Sequence, residues 1–267
     1  MQRRALALTA AVAAGLLLAA CAQETSGGGS SSAPAPAPSS SSAAPAPSSE
    51  SASPTATPDE CAKENLATLM PGMLTIGTDS PAYPPYFVDD DPSNGQGFES
   101  AVAYAVAEGL GFTPEEVMWT VVPFNKSYAP GAKDFDFDIN QISITPKRAE
   151  VVTFSDGYYT VNQAVVALAD SPIANATTLA ELQGAKLGAQ VGTTSLQYIT
   201  AVEIPKGKIV GQFPAQDGGE QFGMLFQKDN PLVTCVNKVL GELTASGELQ
   251  AIQDEWLAGT AAPYFKE

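Results

Sequence analysis

From Gln23 to Pro58 the chain is almost wholly Ser, Ala, Pro, Gly and Thr. A stretch with so few large apolar side chains cannot bury enough surface to offset the entropy lost on ordering. Its Pro-Ala alternation, at Ala33 to Pro38 and again at Ala44 to Pro47, favours an extended, semi-stiff backbone. Whatever folds must therefore be built from about Asp59 to Glu267. That length suits one compact unit or two modest lobes.

The residues ahead of this stretch read as an address. Met1-Gln2-Arg3-Arg4 is a short basic start, Ala5 to Ala20 is apolar, and the run ends in Leu18-Ala19-Ala20-Cys21. This is a secretory signal whose cleavage site is followed directly by a cysteine, as in bacterial lipoproteins. The expectation is a signal peptide over 1–20, lipidation of Cys21, and a stalk over 21–58 that lifts a folded unit off the membrane. Acyl chains contribute about 0.8 kcal/mol per buried CH₂, enough together for durable anchoring. The apolar run is short for a span, which needs about 20 residues. The expected location is the extracellular face of the cell membrane.

Charge and residue usage narrow the function. The chain carries 13 basic and 29 acidic residues, a formal charge of −16, and losing Arg3 and Arg4 with the signal makes it more acidic still. Such a chain repels nucleic acid and anionic headgroups, so no nucleic-acid partner is expected. There is no histidine. That removes Ser-His and Cys-His nucleophilic pairs and every His-based metal site, and neither metal nor cofactor is expected. With Cys21 assigned to lipid, Cys61 and Cys235 remain as an even pair in an oxidising compartment, and a disulfide between them is expected.

The folded part alternates strand and helix signals, which argues for α/β layers. Met73 to Thr78 and Val117 to Val122 read as strands. Between them Phe98, Val102, Ala105, Val106 and Leu110 form one helical stripe that stops at Gly111. Phe135 to Ile139 alternates apolar and acidic residues. Tyr158 to Leu168 and Lys186 to Val191 read as further strands, and Thr178 to Leu182 as a brief helix. Asn230-Pro231 opens a helix with Leu232, Val236, Val239, Leu240 and Leu243 on one face. Ser246-Gly247 breaks it, and Leu249, Ile252 and Trp256 carry a second.

The sharpest chemical signal is Ser143 to Arg148. Thr145 is a good N-cap and Pro146 suits the first helical position. A helix start offers free N–H groups, Ser143 and Thr145 add hydroxyls, and Arg148 adds a fork able to grip a carboxylate. Tyr83-Pro84-Pro85-Tyr86 holds aromatic rings on a stiff loop, as a ligand-stacking wall would. Gly192-Thr193-Thr194 again offers hydroxyls at a strand-to-helix turn.

In this order, "TIGTDSPAYPPYF", "GFESAVAYAVAEGLG", "QISITPKRAEVVTFSDGYY", "GAQVGTTS" and "NPLVTCVNKVLGELTASGELQAIQDEW" resemble an extracellular solute-binding protein of family 3. These are receptors of ABC importers for polar amino acids. The resemblance covers most of Leu74 to Trp256 and implies two α/β lobes of the type II periplasmic-binding-protein kind, closing on an amino acid. It implies a binding protein rather than an enzyme, a monomer, with ABC permease subunits as partners. Carried over by position, Tyr83 matches the aromatic cover, Gln141 and Ser143 the hydrogen-bonding pair, and Arg148 the α-carboxylate clamp. Thr193 and Thr194 match the second lobe's carboxylate contact, and Asp79 a position that meets side chains or amines.

The second lobe departs from the family pattern. Gly192 to Tyr198 runs almost directly into Ala201-Val-Glu-Ile-Pro205, omitting strands, a helix and the acid that binds the ligand's α-amino group. The expected division is 59–168 plus 223–267 for the first lobe and 169–222 for a shortened second lobe, near the lower size limit for a stable core. Glu203 and Asp217 are the acids within reach of replacing the lost one. Two other readings fit the scaffold: a dehydratase with Asp79 or Glu99 as the acid, and a remnant lipoprotein that no longer binds.

Overall fold

The computed structural model describes residues 59–168, 170–201, 211–212, 219–259 and 264–265. The signal segment, Cys21, the stalk, Glu203 and Asp217 lie outside the described residues.

In chain order the elements are β1 (Leu74–Thr78), α1 (Phe98–Gly109), β2 (Val117–Val121), α2 (Phe124–Ser127), β3 (Phe137–Asp138), α3 (Pro146–Ala149), β4 (Val152–Val161) and β5 (Ala164–Val165). There follow α4 (Thr194–Ala201), β6 (Gly211–Gln212), β7 (Glu220–Gln227), α5 (Leu232–Ser246) and α6 (Glu248–Leu257). Five strands form one mixed sheet in the order β2-β1-β3-β7-β4. β1 runs parallel to both β2 and β3, while β7 runs antiparallel to β3 and β4. β5 and β6 form a separate two-stranded antiparallel pair.

The main core lies between this sheet and α1, α5 and α6. Phe98, Val102 and Val106 of α1 meet Leu74, Ile76 and Phe137 from the strands, and Val236, Val239 and Leu240 from α5. Each such side chain contributes about 1.5–3 kcal/mol on full burial. α5 ends where Gly247 adopts a left-handed conformation, φ 81°, as the Ser246-Gly247 break predicts. A disulfide joins Cys61 to Cys235 of α5, Cα atoms 5.3 Å apart across a sequence separation of 174. Beside the β5–β6 pair there is a much smaller cluster, Val165, Ala176, Leu182 and Phe265.

Two strand expectations change, and the alternation at Phe135 to Ile139 does not separate a buried face from an exposed one. Phe135 to Ile139 is buried on both faces, Asp136 and Asp138 included, and only Phe137 and Asp138 are strand. Burying acids is costly unless they are hydrogen-bonded, and the two differ: Asp138 has both carboxylate oxygens buried without a hydrogen-bond partner. Asp136 accepts the amides of Leu69 and Thr75, each at 2.7 Å. β4 begins at Val152, ahead of the expected Tyr158, because the ladder to β7 runs from Val152–Gln227 to Val161–Glu220. That pairing overrides the weak strand propensity of Ser155-Asp156-Gly157. The expected strand at Lys186 to Val191 does not form, and among the described residues no strand runs beside it. An extended segment without a ladder partner stays irregular.

Candidate functional site

The end of β1, the turn before α3, the end of β4 and the start of α4 converge on a cavity of about 450 Å³. Asp79, Tyr83, Gln141, Ser143, Thr193 and Thr194 all line it, so six of the seven expected ligand residues share one wall system. The seventh, Arg148, is not on the wall.

Local sequence explains the Ser143–Arg148 turn. Thr145 Oγ1 caps α3 by accepting the Arg148 amide at 3.2 Å, with Pro146 at the first position. α3 is a single turn, and what anchors the segment is Arg148 itself, only 6 % exposed. Its Nη1 donates to the Ser143 carbonyl at 2.8 Å, and Nη2 to the Gly192 carbonyl at 2.9 Å. The guanidinium lies 4.6 Å from the centre of the Tyr128 ring and 5.5 Å from that of Phe124. Burial pulls its pKa down, with Tyr128 and Glu220 acting in the opposite direction. Arg148 thus ties two residues beside the cavity, one before α3 and one before α4.

Gly192 is suited to that approach. Its φ is +86°, and a Cβ there would collide with the Asn125 side chain and the Tyr128 hydroxyl. Thr193 begins the turn into α4, donating to the Gln190 carbonyl at 2.7 Å and accepting the Leu196 amide at 3.1 Å. Its hydroxyl serves the turn.

On the opposite side Asp79 accepts two backbone amides, Ser80 at 2.8 Å on Oδ1 and Phe124 at 3.1 Å on Oδ2. Tyr83 is 68 % exposed, which places its ring at the cavity rather than in the core. Gln141 has φ +46°, a left-handed conformation unusual for its type. Its amide donates to Glu99 Oε1 at 2.7 Å and its side-chain Nε2 to Glu99 Oε2. The Tyr158 hydroxyl donates to Oε1 at 2.5 Å. Burial raises Glu99 to about 7, the hydrogen bonds from Tyr158 and Gln141 pulling it back. Glu99 and Asp138 are both fully buried, and burial followed by repulsion from Glu99 and Asp79 holds Asp138 well above its ordinary value. Glu99 therefore positions Gln141 from beneath and does not reach the cavity.

Sequence reasoning missed Glu220. At the start of β7, its Oε1 accepts the hydroxyls of Ser143 and of Thr194, the latter at 2.7 Å, and its Oε2 accepts Gln163 Nε2 at 2.5 Å. The sole local signal is an acid opening a strand after Gly218-Gly219. Phe222, two residues on, lines the cavity and packs against Tyr86, Tyr158 and Tyr159, ring centres 5.9–6.4 Å apart. Among the described residues no group of histidine, cysteine or acidic side chains could hold a metal ion, and no helix is long and apolar enough to cross a membrane.

A sequence profile of the bacterial extracellular solute-binding proteins, family 3, matches residues 74–259. The chain is similar to the arginine-binding extracellular protein ArtP of Bacillus subtilis (strain 168), 24 % identical over 70 % of this chain and 86 % of that one. It is also similar to the lysine/arginine/ornithine-binding periplasmic protein of Escherichia coli (strain K12), 29 % identical over 55 % of each. Among solved structures, an ancestral arginine-binding protein bound to arginine superposes with a TM-score of 0.56 at 27 % identity, covering 70 % of this chain and 99 % of that one.

Proposed function

The chain belongs to family 3 of the bacterial extracellular solute-binding proteins, and on that premise we propose that it is the lipid-anchored receptor of an ABC importer for a polar amino acid. The fold is the α/β architecture of type II periplasmic binding proteins with a shortened second lobe. The observation that carries the reading is convergence: Asp79, Tyr83, Gln141, Ser143, Thr193 and Thr194, far apart in sequence, line one cavity of about 450 Å³. That volume suits a single small metabolite.

The ligand's carboxylate goes to the Ser143 and Thr194 side, next to the cationic Arg148, and its body rests against Tyr83. Two of the five guanidinium donors of Arg148 are given to carbonyls, and its charge still acts on an anion placed beside it. The residues meeting here come from both sides of the β4–β7 crossing, so a bound ligand favours closure about that crossing. The importer's membrane subunits then read the closed form. Binding involves no bond making or breaking, and Cys21 holds the receptor at the extracellular face by its acyl chains.

A calorimetric screen of the twenty amino acids tests the reading. Binding of at least one, weakened in Arg148→Ala, supports it. Heat of mixing alone across the whole panel overturns it.

A further inference from the structure

Glu220 has a role that neither the family profile nor the sequence assigns. A hydroxyl has one proton to donate. Those of Ser143 and Thr194 both go to Glu220 Oε1, and Gln163 Nε2 donates to Oε2. The donors on this wall of the cavity are therefore turned toward the chain's own carboxylate. The second carboxylate on the wall is Asp79, and among the described lining residues there is no lysine or arginine. Arg148 lies off the wall with its Nη groups on the Ser143 and Gly192 carbonyls. What the cavity presents at Glu220 is negative charge held by neutral donors, with no cation in contact.

We propose that Glu220 sets the charge of the ligand the site accepts, drawing an ammonium or guanidinium group to the Ser143–Thr194–Gln163 wall and rejecting a second carboxylate there. The inference rests on the receptor reading and deepens it. When a cationic group takes Glu220, the two hydroxyls are released to turn toward the carboxylate of the same ligand. An acidic ligand meets like charge instead. Opposite charges close together in a partly buried site attract far more strongly than in bulk water, and like charges repel in the same proportion. The ligand class is thus a small molecule with a net positive charge, or a zwitterion whose cationic group faces Glu220, and not a dicarboxylate.

The test is calorimetric titration of the full chain and of Glu220→Gln with arginine, glutamate and agmatine, which has the cationic groups of arginine but no carboxylate. The wild-type chain is expected to bind arginine and to bind glutamate far more weakly. In Glu220→Gln, arginine affinity falls by about tenfold or more and glutamate affinity rises, while Glu220→Asp keeps the arginine preference. An unchanged arginine-to-glutamate ratio in Glu220→Gln overturns the proposal and leaves the receptor reading standing. Agmatine binding as tightly as arginine, and lost in Glu220→Gln, upholds Glu220 while removing the carboxylate contact. Binding of none of the three overturns the proposal, while the receptor reading falls only if the whole amino-acid panel fails as well. The wild-type arm needs no variant to fold: glutamate bound more tightly than arginine also defeats the proposal.

Discussion

The guanidinium of Arg148 and the carbonyl of Gly192 are joined at 2.9 Å across 44 positions of sequence. The Tyr128 hydroxyl donates to the same carbonyl at 3.2 Å. A buried arginine therefore fixes the loop that delivers Thr193 and Thr194 to the cavity. Arg148→Ala removes this tie and the nearby positive charge together. The expected loss of ligand affinity is about 1–3 kcal/mol, the scale of losing hydrogen bonds from a charged group that hold the loop in place. Arg148→Lys keeps the charge but not the planar fork, and is expected to recover only part of it. Calorimetry with the best-bound amino acid measures both.

Gly192 accepts no side chain. With φ +86° and a Cβ in conflict with Asn125 and Tyr128, Gly192→Ala strains the backbone and displaces those two side chains. A destabilisation of about 1–3 kcal/mol follows, read from urea denaturation, and ligand affinity falls with it. An alanine variant as stable as the parent contradicts the close approach.

Glu99 makes the fold weaker as the solution becomes less acidic. Burial raises its folded-state pKa to about 7, above the 4.5 of an ordinary glutamate. A carboxyl raised in this way contributes stability that is fully present below about 4.5 and is lost as pH rises through 7. Each tenfold change in proton affinity between folded and unfolded chain corresponds to about 1.4 kcal/mol. Wild type minus Glu99→Gln in unfolding free energy is therefore expected to fall by about 3 kcal/mol between pH 4 and pH 8. A difference independent of pH removes Glu99 as the titrating group.

The Cys61–Cys235 disulfide closes most of the folded chain into a loop. Replacing both cysteines with serine is expected to cost about 2–4 kcal/mol. Thermal melting of the double variant against the oxidised parent checks it. Neither cysteine lines the cavity, so amino-acid affinity of the folded fraction should hold.

What can be read from the chain follows from how local each signal is. Thr145, Pro146 and the Ser246-Gly247 break act within one helical turn, and the structure has them as read. The stripe of α1 is likewise a local period, and Phe98, Val102 and Val106 are fully buried. The start of β4 escapes a local reading because it depends on β7, a partner some seventy residues away. The missing strand at Lys186 to Val191 is the converse, an extended pattern with no strand beside it among the described residues. In the site, the positions carried by the Ser143–Arg148 and Gly192–Thr194 motifs are legible as residues, though the bonds of Arg148 to carbonyls are not. Glu220 is invisible in the sequence because its donors come from positions 143, 163 and 194, which only the fold brings together.

Phe222 has one edge on the cavity and the rest of its ring among Tyr86, Tyr158 and Tyr159. The cavity wall at Phe222 is thus the outer surface of an aromatic stack that belongs to the main core. Stability and cavity shape therefore have no independent handle at this position, since a substitution that repacks the interior also reshapes the wall.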